Sequence, residues 1–441
     1  MHDSTTDPSL RSWVISANRA GTDFPIQNLP FGVFRRAESL EAPRVGVAIG
    51  DEILDVASCL AAGLFAEASD EARVAARLCA SPTLNALMQR GPVARRALRT
   101  ALSALLADSA PAHQRQTAEY ALVPQRAAEM FLPIDIGDYT DFYASVHHAT
   151  NVGSMFRPDN PLLPNYKWIP IGYHGRSSTI VVSGSPVVRP SGQRKGPNDD
   201  VPTVGPSRSL DYELELAAVV GTGNAMGSVI PLSHADDHFF GVCILNDWSA
   251  RDIQSWEYQP LGPFLAKNFA TSISAWVVTM EALAPFRAPL APRAADDPQP
   301  LPYLADADDR AAGGFAVTME VALQTARMRD AGQSAERLTR GSTLDLYWSM
   351  AQMLTHHASG GCAMRVGDVL GSGTVSGSTR ESRGCLIELT WRGTEPITLS
   401  TGETRTFLED GDEVVMTAYA EREGAVRIGL GECRGRVVTS R

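Results

Sequence analysis

Residues 210–221 read LDYELELAAVVG, and this stretch carries the pattern that best predicts the fold. Apolar side chains alternate with acidic ones, the former at Leu210, Tyr212, Leu214 and Leu216 and the latter at Asp211, Glu213 and Glu215. Because successive side chains of a strand point to opposite faces, the alternation predicts a strand with one apolar and one acidic face. Glu213 and Glu215 then share a face, which is either a solvated surface or part of a site.

Short strand-like runs recur along most of the chain. Beyond residue 129 they cover Thr179–Val182, Asp211–Val220, Phe239–Asn246, Ala275–Met280, Ala316–Leu323, Cys385–Thr390 and Glu413–Ala418. Apolar residues at helical spacing predict helices over residues 92–107 and near residues 342–355. With 37 glycines and 28 prolines marking turns, the pattern predicts a mainly β, α+β fold with a small domain over 1–128 and a large one over 129–441.

The charge and cysteine patterns exclude several classes of protein. The formal net charge is -11 and the basic residues are scattered, so we expect no nucleic-acid partner. Six cysteines lie far apart without a CxxC pair, which favours free thiols in a reducing compartment. No stretch of about 18 apolar residues and no secretory leader is apparent, so we expect a cytoplasmic protein without a membrane partner.

Two further segments concentrate unusual polar residues. Residues 239–258 read FFGVCILNDWSARDIQSWEY, in which an apolar run ends at Asp247; residues 136–151 read IGDYTDFYASVHHATN and include Asp141. A strand end that delivers polar groups is a common place for a site. The alternatives are an ordinary strand-to-helix turn capped by Asp247 or Ser249, and histidines that are only packed in a core.

A convergence of four of these acidic residues would require a counter-ion. Four carboxylates cannot share a small volume unless they are protonated or neutralised. Because no cysteine or histidine lies at ligand spacing, such a site suits a hard cation, Mg²⁺ or Ca²⁺, better than zinc. The candidates are Asp141, Glu213, Glu215 and Asp247.

The chain resembles the fumarylacetoacetate hydrolase family from about residue 22 to its C-terminus. The matching segments occur in family order and include TDFPIQNLPFGVF, GDYTDFY, HATNVG, GYHGR, LDYELE, NDWSARDIQSWEY, PLGPF, SGTVSG and DGDEV. The resemblance implies an SH3-like β-barrel at the N-terminus, a large mixed β-roll or sandwich carrying the site, and a homodimer. Residues 267–272 and 378–384 depart from the family pattern. The details of substrate gating that the family implies are therefore not expected to carry over to these two segments.

The resemblance also implies roles for individual residues. His148 would be the base, oriented by Glu388, and Arg251, Gln254 and Lys267 would stabilise negative charge on the substrate. The same four carboxylates would ligate the metal, with Lys267 and Thr271 at a second magnesium site beside Asp247. His174, His356 and His357 are expected to be structural. The substrate would be bound by Tyr143, Arg157, Tyr173, Arg251, Gln254, Tyr258 and Thr374.

The implied activity is hydrolysis of a carbon–carbon bond in 4-fumarylacetoacetate, the last step of tyrosine and phenylalanine catabolism. Water activated by the His–Glu pair would release fumarate and acetoacetate, the latter as a metal-bound enolate. The alternatives are a related acylpyruvate hydrolase, decarboxylase or isomerase on the same metal scaffold, or a non-catalytic metal-stabilised protein.

Overall fold

The fold of residues 3–440, described by a computed structural model, is built around one large sheet. Within these residues this sheet has thirteen strands. In chain order they are Phe31–Arg36, Arg44–Ile49, Glu52–Asp55, Leu122–Pro124, Ala128–Phe131, Tyr139–Phe142, Gly172–Gly175, Ile180–Val182, Leu214–Val220, Phe239–Asp247, Thr271–Ile273, Trp276–Thr279 and Val369–Gly371.

A second sheet packs against the centre of the first. Across residues 3–440 it has five strands, and four two-stranded sheets accompany it. The five strands are Pro186–Val188, Val317–Gln324, Glu336–Ser342, Glu413–Ala420 and Ile428–Val438. The pairs are Ser191–Arg194 with Thr203–Pro206, Leu210–Asp211 with Ser249–Ala250, Arg287–Ala288 with Gly314–Phe315, and Ile397–Thr398 with Thr404–Arg405.

The helices are short apart from one. They cover Val56–Ala61, Asp70–Leu78, Asn85–Gln89, Gly91–Leu106, Ala112–Glu119, Val146–Phe156, Arg251–Glu257, Met280–Leu283, Ala307–Ala312, Ala326–Asp330, Met350–Ala358 and Leu386–Leu389. Gly91–Leu106 lies close to the predicted helix over 92–107, and Met350–Ala358 falls at the end of the second predicted helical segment. Between residues 3 and 440 none of the helices has the length and apolar character needed to cross a membrane.

The central strands of the large sheet are buried on both faces. All nine residues of Phe239–Asp247 are buried. Val242 and Ile244 belong to the core shared with the five-stranded sheet, whereas Cys243 and Leu245 belong to the core shared with the N-terminal helices. The centre of the molecule is therefore three layers deep, which confirms the predicted sheet-rich α+β class and explains why the strand is continuously apolar rather than alternating.

The N-terminal strands continue the large sheet. Phe31–Arg36 pairs with Arg44–Ile49 and Ala128–Phe131, and its first two residues pair with Trp276–Thr279. Leu122–Pro124 forms one edge, and no closed barrel is found among residues 3–440. The mixed sheet is thus established, and the separate SH3-like barrel is not confirmed.

One predicted strand is wrong. Cys385–Thr390 was expected to extend, but Leu386–Leu389 forms a short helix. The carboxylate of Asp211 accepts hydrogen bonds from the backbone N–H groups of Leu386 (2.7 Å) and Ile387 (3.0 Å), which satisfies the free donors at the start of this helix. The partner comes from 175 residues away in the chain, so local sequence could not reveal the helix.

A buried ion pair joins the longest helix to the large sheet. Arg95 donates to Glu281 through Nε (2.9 Å) and Nη2 (2.8 Å), and its Nη1 donates to the carbonyl of Phe239. Glu281 also accepts from Arg96, whose side chain is 58% exposed. The Arg95–Glu281 pair is therefore desolvated, whereas the Arg96–Glu281 contact is open to solvent.

Replacing Glu281 with Ala should lower the free energy of unfolding by about 3 kcal/mol, because Arg95 would be left buried without its partner. Replacing Arg96 with Ala should cost less than about 1 kcal/mol, because that contact is solvated. Urea unfolding of both variants measures the difference. Equal losses would show that burial does not govern these two contacts.

Candidate active site

Polar side chains form a row across one end of the large sheet. Five of six adjacent strands contribute to this row, and the sixth supplies Gly371. Strand register aligns Asp247 with Thr271, Gly371 with Asp141, and Asp141 with Tyr173. Glu215 lies on the strand between those of Asp247 and Gly371. Segments distant in sequence thus bring their polar residues to one place through strand pairing.

Four carboxylates lie together in this row. Ligand oxygens of Asp141, Glu213, Glu215 and Asp247 all lie within 4.8 Å of one another, and all four residues are buried. Glu213 follows a break after Leu210–Asp211, where its backbone N–H donates to Asn246 Oδ1 (3.1 Å). The solvated-face alternative for these glutamates therefore does not apply.

Gly371 leaves the space between two of these carboxylates open. A Cβ at this position would lie 2.7 Å from Glu215 Oε2 and 3.0 Å from Asp141 Oδ1. These distances are shorter than a carbon–oxygen contact allows, so any side chain would displace the carboxylates. The absence of a side chain on the strand between Asp141 and Glu215 thus permits the cluster to form.

Two cations offset part of the negative charge. Lys267 Nζ donates to Glu213 Oε2 (2.6 Å) and Asp247 Oδ2 (2.8 Å). Arg251 lies 2.7 Å from Glu213 Oε1 through Nη1 and donates to Asp211 through Nε (2.9 Å). Two cations thus face five buried carboxylates, counting Asp211, and the balance remains negative.

The remaining repulsion shifts the acidity of the carboxylates. Burial, followed by repulsion from Asp247, raises the pKa of Asp141 well above its usual range. Burial, followed by repulsion from Asp141, does the same to the pKa of Glu215. Burial would also raise the pKa of Glu213, but Lys267 and Arg251 outweigh it and hold that pKa below its usual value. The unrelieved charge therefore concentrates at Asp141 and Glu215.

The donor set fits a divalent cation that prefers oxygen. Considering residues 3–440, Asp141 Oδ1 and Glu215 Oε1 are buried and accept no hydrogen bond, and both belong to the cluster. Carboxylate oxygens are the ligands of Mg²⁺ and Ca²⁺. Lys267 and Thr271 act here as hydrogen-bond donors to Asp247; an ammonium has no lone pair, so ligation of a second ion by Lys267 would require its backbone carbonyl.

His148 and Glu388 form a buried pair beside the cluster. His148 Nδ1 lies 2.6 Å from Glu388 Oε2. Ser145 begins the helix Val146–Phe156 by accepting from the backbone N–H of His148 (3.2 Å), which fixes the backbone that carries the imidazole. Ile387, which precedes Glu388, donates to Asp211, and Asp211 accepts from Arg251, which reaches Glu213. The pair and the carboxylates are thus joined by a short chain of buried contacts.

Glu388 is held by several donors. Besides His148, it accepts from Asn151 Nδ2 (2.8 Å), Ser376 Oγ (2.8 Å) and Cys385 Sγ (3.0 Å). Burial would raise the pKa of Glu388, but His148 and the other donors lower it to about 2. Glu388 is therefore ionised at neutral pH and can only accept.

The predicted substrate residues fall into two groups. Those of the first group contact a carboxylate of the cluster, a residue bonded to the cluster, or His148, or they follow such a residue directly in the chain. Tyr173 Oη donates to Asp247 Oδ2 (2.8 Å), Gln254 Oε1 accepts from Arg251 (3.1 Å), and the Tyr143 ring lies edge-on to that of His148 at 5.2 Å. Thr374 follows Gly373, whose N–H donates to Glu215 Oε2 (3.0 Å). In the second group, Arg157 and Tyr258 share no hydrogen bond with the cluster anywhere in residues 3–440; Arg157 donates to Pro161, and the Tyr258 ring lies 6.4 Å from that of Phe156.

Several residues of the site were not predicted. Asn151 lies three residues after His148 on one helix, so helical spacing could have indicated it. Asp211 belongs to the alternating pattern at residues 210–216 but was not assigned to the site. Ser376, Cys385 and Gly371 carry no local signal, because their roles depend on neighbours distant in the chain.

Two family models match the chain. "Fumarylacetoacetase N-terminal" matches residues 27–133, and "Fumarylacetoacetate (FAA) hydrolase C-terminal" matches residues 138–438. The chain belongs to the fumarylacetoacetate hydrolase family. It is 47% identical to the fumarylacetoacetase of Rattus norvegicus over 420 residues, which are 95% of this chain and 96% of that protein. It is 46% identical to the fumarylacetoacetase of Oryza sativa subsp. japonica over 439 residues, 97% of each.

The fold also resembles a solved structure of the family. The fumarylacetoacetate hydrolase from Exiguobacterium antarcticum matches with a TM-score of 0.50 and 17% identity, covering 94% of this chain and all of that one. At this identity the likeness concerns the fold alone, and it supports the mixed, sheet-rich architecture.

Replacing Gly371 with Ala should weaken binding of Ca²⁺ or Mg²⁺ by about tenfold or more, because the new methyl group would displace two carboxylates. Titration calorimetry on the purified variant measures this. Gly360 is the matched control, because a Cβ there meets nothing within 4 Å, and Gly360→Ala should bind the cation as the unaltered protein does. Equal affinities of all three proteins would contradict the assigned position of the ion.

Proposed function

We propose that this protein hydrolyses 4-fumarylacetoacetate to fumarate and acetoacetate, at the end of tyrosine and phenylalanine catabolism. The observation that carries the proposal is the buried His148–Glu388 pair next to the cluster of four carboxylates. The relatives named fumarylacetoacetase, 46–47% identical over at least 95% of the chain, support the same substrate.

His148 acts as the general base through Nε2. Glu388 is ionised and can only accept, so the hydrogen on the imidazole must lie at Nδ1, which faces Glu388. The lone pair of Nε2 is then available to take a proton from water. Glu388 fixes this tautomer and stabilises the imidazolium that forms, as the carboxylate of a catalytic triad does.

Buried donors without partners are available for the substrate. Arg251 Nη2 and Thr374 Oγ1 are buried and, among the residues described, make no hydrogen bond. An unpaired buried donor is costly, so these two groups are suited to carboxylate or keto oxygens that replace water. Lys267 adds a cation within hydrogen-bond distance of the cluster.

The carbon–carbon bond breaks after water is added. The hydroxyl oxygen adds to a keto carbon while His148 takes the proton, and collapse of the adduct breaks the bond to the neighbouring carbon. The electron pair passes to the acetoacetate fragment, which takes the proton back from His148. Arg251 and Lys267 stabilise the negative charge on oxygen during both steps.

We propose Mg²⁺ or Ca²⁺ as the cofactor, held by Asp141, Glu213, Glu215 and Asp247. When bound, such a cation supplies positive charge that stabilises negative charge on the keto oxygens. The oxygen-only donor set supports these two ions. A second magnesium site at Lys267 and Thr271 remains a proposal, as do the substrate contacts of Arg157 and Tyr258.

An acylpyruvate hydrolase, a decarboxylase or an isomerase on the same metal scaffold is the alternative. The His148–Glu388 pair favours a hydrolase, because a base held in one tautomer beside the cluster is suited to activating water. We also propose the division into residues 1–128, with an SH3-like barrel, and residues 129–441. The two family models divide the chain close to this point, between residues 133 and 138. Assembly as a homodimer and a cytoplasmic location are further proposals; the six free cysteines fit a reducing compartment.

Purified protein mixed with Mg²⁺ or Ca²⁺ should remove the ultraviolet absorbance of 4-fumarylacetoacetate and yield fumarate and acetoacetate in equal amounts. Excess EDTA should abolish the reaction, and added cation should restore it. Turnover of acylpyruvates without turnover of 4-fumarylacetoacetate would favour the alternative. Product analysis by chromatography distinguishes hydrolysis from decarboxylation and isomerisation.

Replacing His148 with Ala should lower kcat by about a thousandfold, because the general base is lost. Cation affinity should change little, because His148 is not a proposed ligand. The adjacent His147 provides the matched control: among residues 3–440 it makes no hydrogen bond or ion pair with Glu388, and His147→Ala should retain most of the activity. Comparable losses of kcat in both variants would refute the assignment of the base.

A further inference from the structure

A basic pocket lies on the surface beside the active site. It is a cavity of about 310 Å³ between the helix Arg251–Glu257 and the strands Ser191–Arg194 and Thr203–Pro206. Five of its lining side chains are cationic: Arg194, Lys195, Arg208, Arg251 and Arg392. The whole chain has a formal net charge of -11. The local charge of this pocket is therefore opposite in sign to the net charge of the protein.

The acidic residues of the basic pocket do not neutralise it. Asp252 accepts from Ser207 Oγ (2.6 Å) and from the backbone N–H of Arg208 (2.8 Å), and lies 3.9 Å from Arg194. Asp199 accepts from the backbone N–H of Gly196 (2.8 Å).

Three cations of the pocket have no ionic partner among the described residues. Within residues 3–440, no carboxylate lies within 4.0 Å of the side-chain nitrogens of Lys195, Arg208 or Arg392. Three neighbouring positive charges without partners repel one another, and an anion between them would relieve that repulsion.

Aromatic rings hold two of these cations in place. The guanidinium of Arg392 lies 4.6 Å from the centroid of the Phe156 ring, and Lys195 Nζ lies 5.5 Å from that of Trp256. Each contact restrains a long side chain while leaving its hydrogen-bond donors free. The pocket is thus partly ordered before any anion arrives.

Arg251 connects the basic pocket to the reaction site. Its side chain lines the pocket and also lies 2.7 Å from Glu213 in the carboxylate cluster. Only 7% of Arg251 is exposed, and its Nη2 is buried without a partner in the described residues. Ile387, another lining residue, directly precedes Glu388. An anion in the pocket is therefore one side chain away from the catalytic groups.

We propose that the basic pocket captures a carboxylate of a dianionic diketo acid before the acid reaches the carboxylate cluster. This inference rests on the proposed function, whose substrate carries a carboxylate at each end. The acidic surface of the protein repels such a dianion, and a local patch of unpaired cations offsets that repulsion. Lys195, Arg208 and Arg392 are thus specificity-determining residues that act before the chemical step.

The test compares two double variants with the same change in charge. Arg208→Gln combined with Arg392→Gln removes two cations of the pocket. Arg77→Gln combined with Arg327→Gln removes two exposed arginines that line no part of the pocket. The magnesium-loaded proteins are assayed with 4-fumarylacetoacetate at NaCl concentrations between about 10 and 100 mM, over which the Debye length falls from about 30 to about 10 Å.

The pocket variant should lose about fivefold or more in kcat/KM at low salt, with kcat unchanged and a weaker dependence on salt. Arg208→Lys with Arg392→Lys should restore most of kcat/KM, because the charges return. The surface variant should match the unaltered protein. Equal losses in the pocket and surface variants, or a loss in kcat alone, would overturn the proposal.

Binding of fumarate separates this proposal from the proposed function. Calorimetry should show fumarate binding weakened about fivefold or more in the pocket variant and unchanged in the surface variant. Suppose that fumarate binding is weakened only in the pocket variant, but that the unaltered protein does not turn over 4-fumarylacetoacetate. The proposed function would then fail, and the capture of dicarboxylates would stand. If fumarate bound equally to all the proteins, the capture site would be refuted whatever the activity.

Discussion

Repulsion among four buried carboxylates is the constraint on which the rest of this structure depends. Asp141, Glu213, Glu215 and Asp247 come from three strands and one strand break, and only the pairing of the large sheet holds them within 4.8 Å. Lys267 and Arg251 offset part of this charge, and the proposed divalent cation would offset what remains. Relief of this repulsion would favour the binding of a cation.

The His148–Glu388 pair depends on a second long-range arrangement. Glu388 faces His148 because Leu386–Leu389 is helical, and that helix begins on the carboxylate of Asp211. Asp211 also accepts from Arg251, which reaches Glu213. One buried aspartate thus links the position of the His148–Glu388 pair to the position of the carboxylate cluster.

The sequence predicted what local patterns encode. Alternation around Glu213 and Glu215, and the polar end of the run at Asp247, identified acidic residues that the fold brings together, and apolar spacing located the helix Gly91–Leu106. The helix at Leu386–Leu389 and the space left by Gly371 escaped prediction, because each depends on a residue far away in the chain. The resemblance to a family supplied the roles of His148 and Glu388, which no local pattern distinguishes from structural ones.

The central claim is that the four carboxylates surround one divalent cation. Anomalous diffraction from crystals grown with Ca²⁺ tests it most directly. The account predicts one strong peak at about 2.3–2.6 Å from oxygens of Asp141, Glu213, Glu215 and Asp247. A fully loaded crystal with its calcium elsewhere, and with these four side chains turned apart, would contradict it.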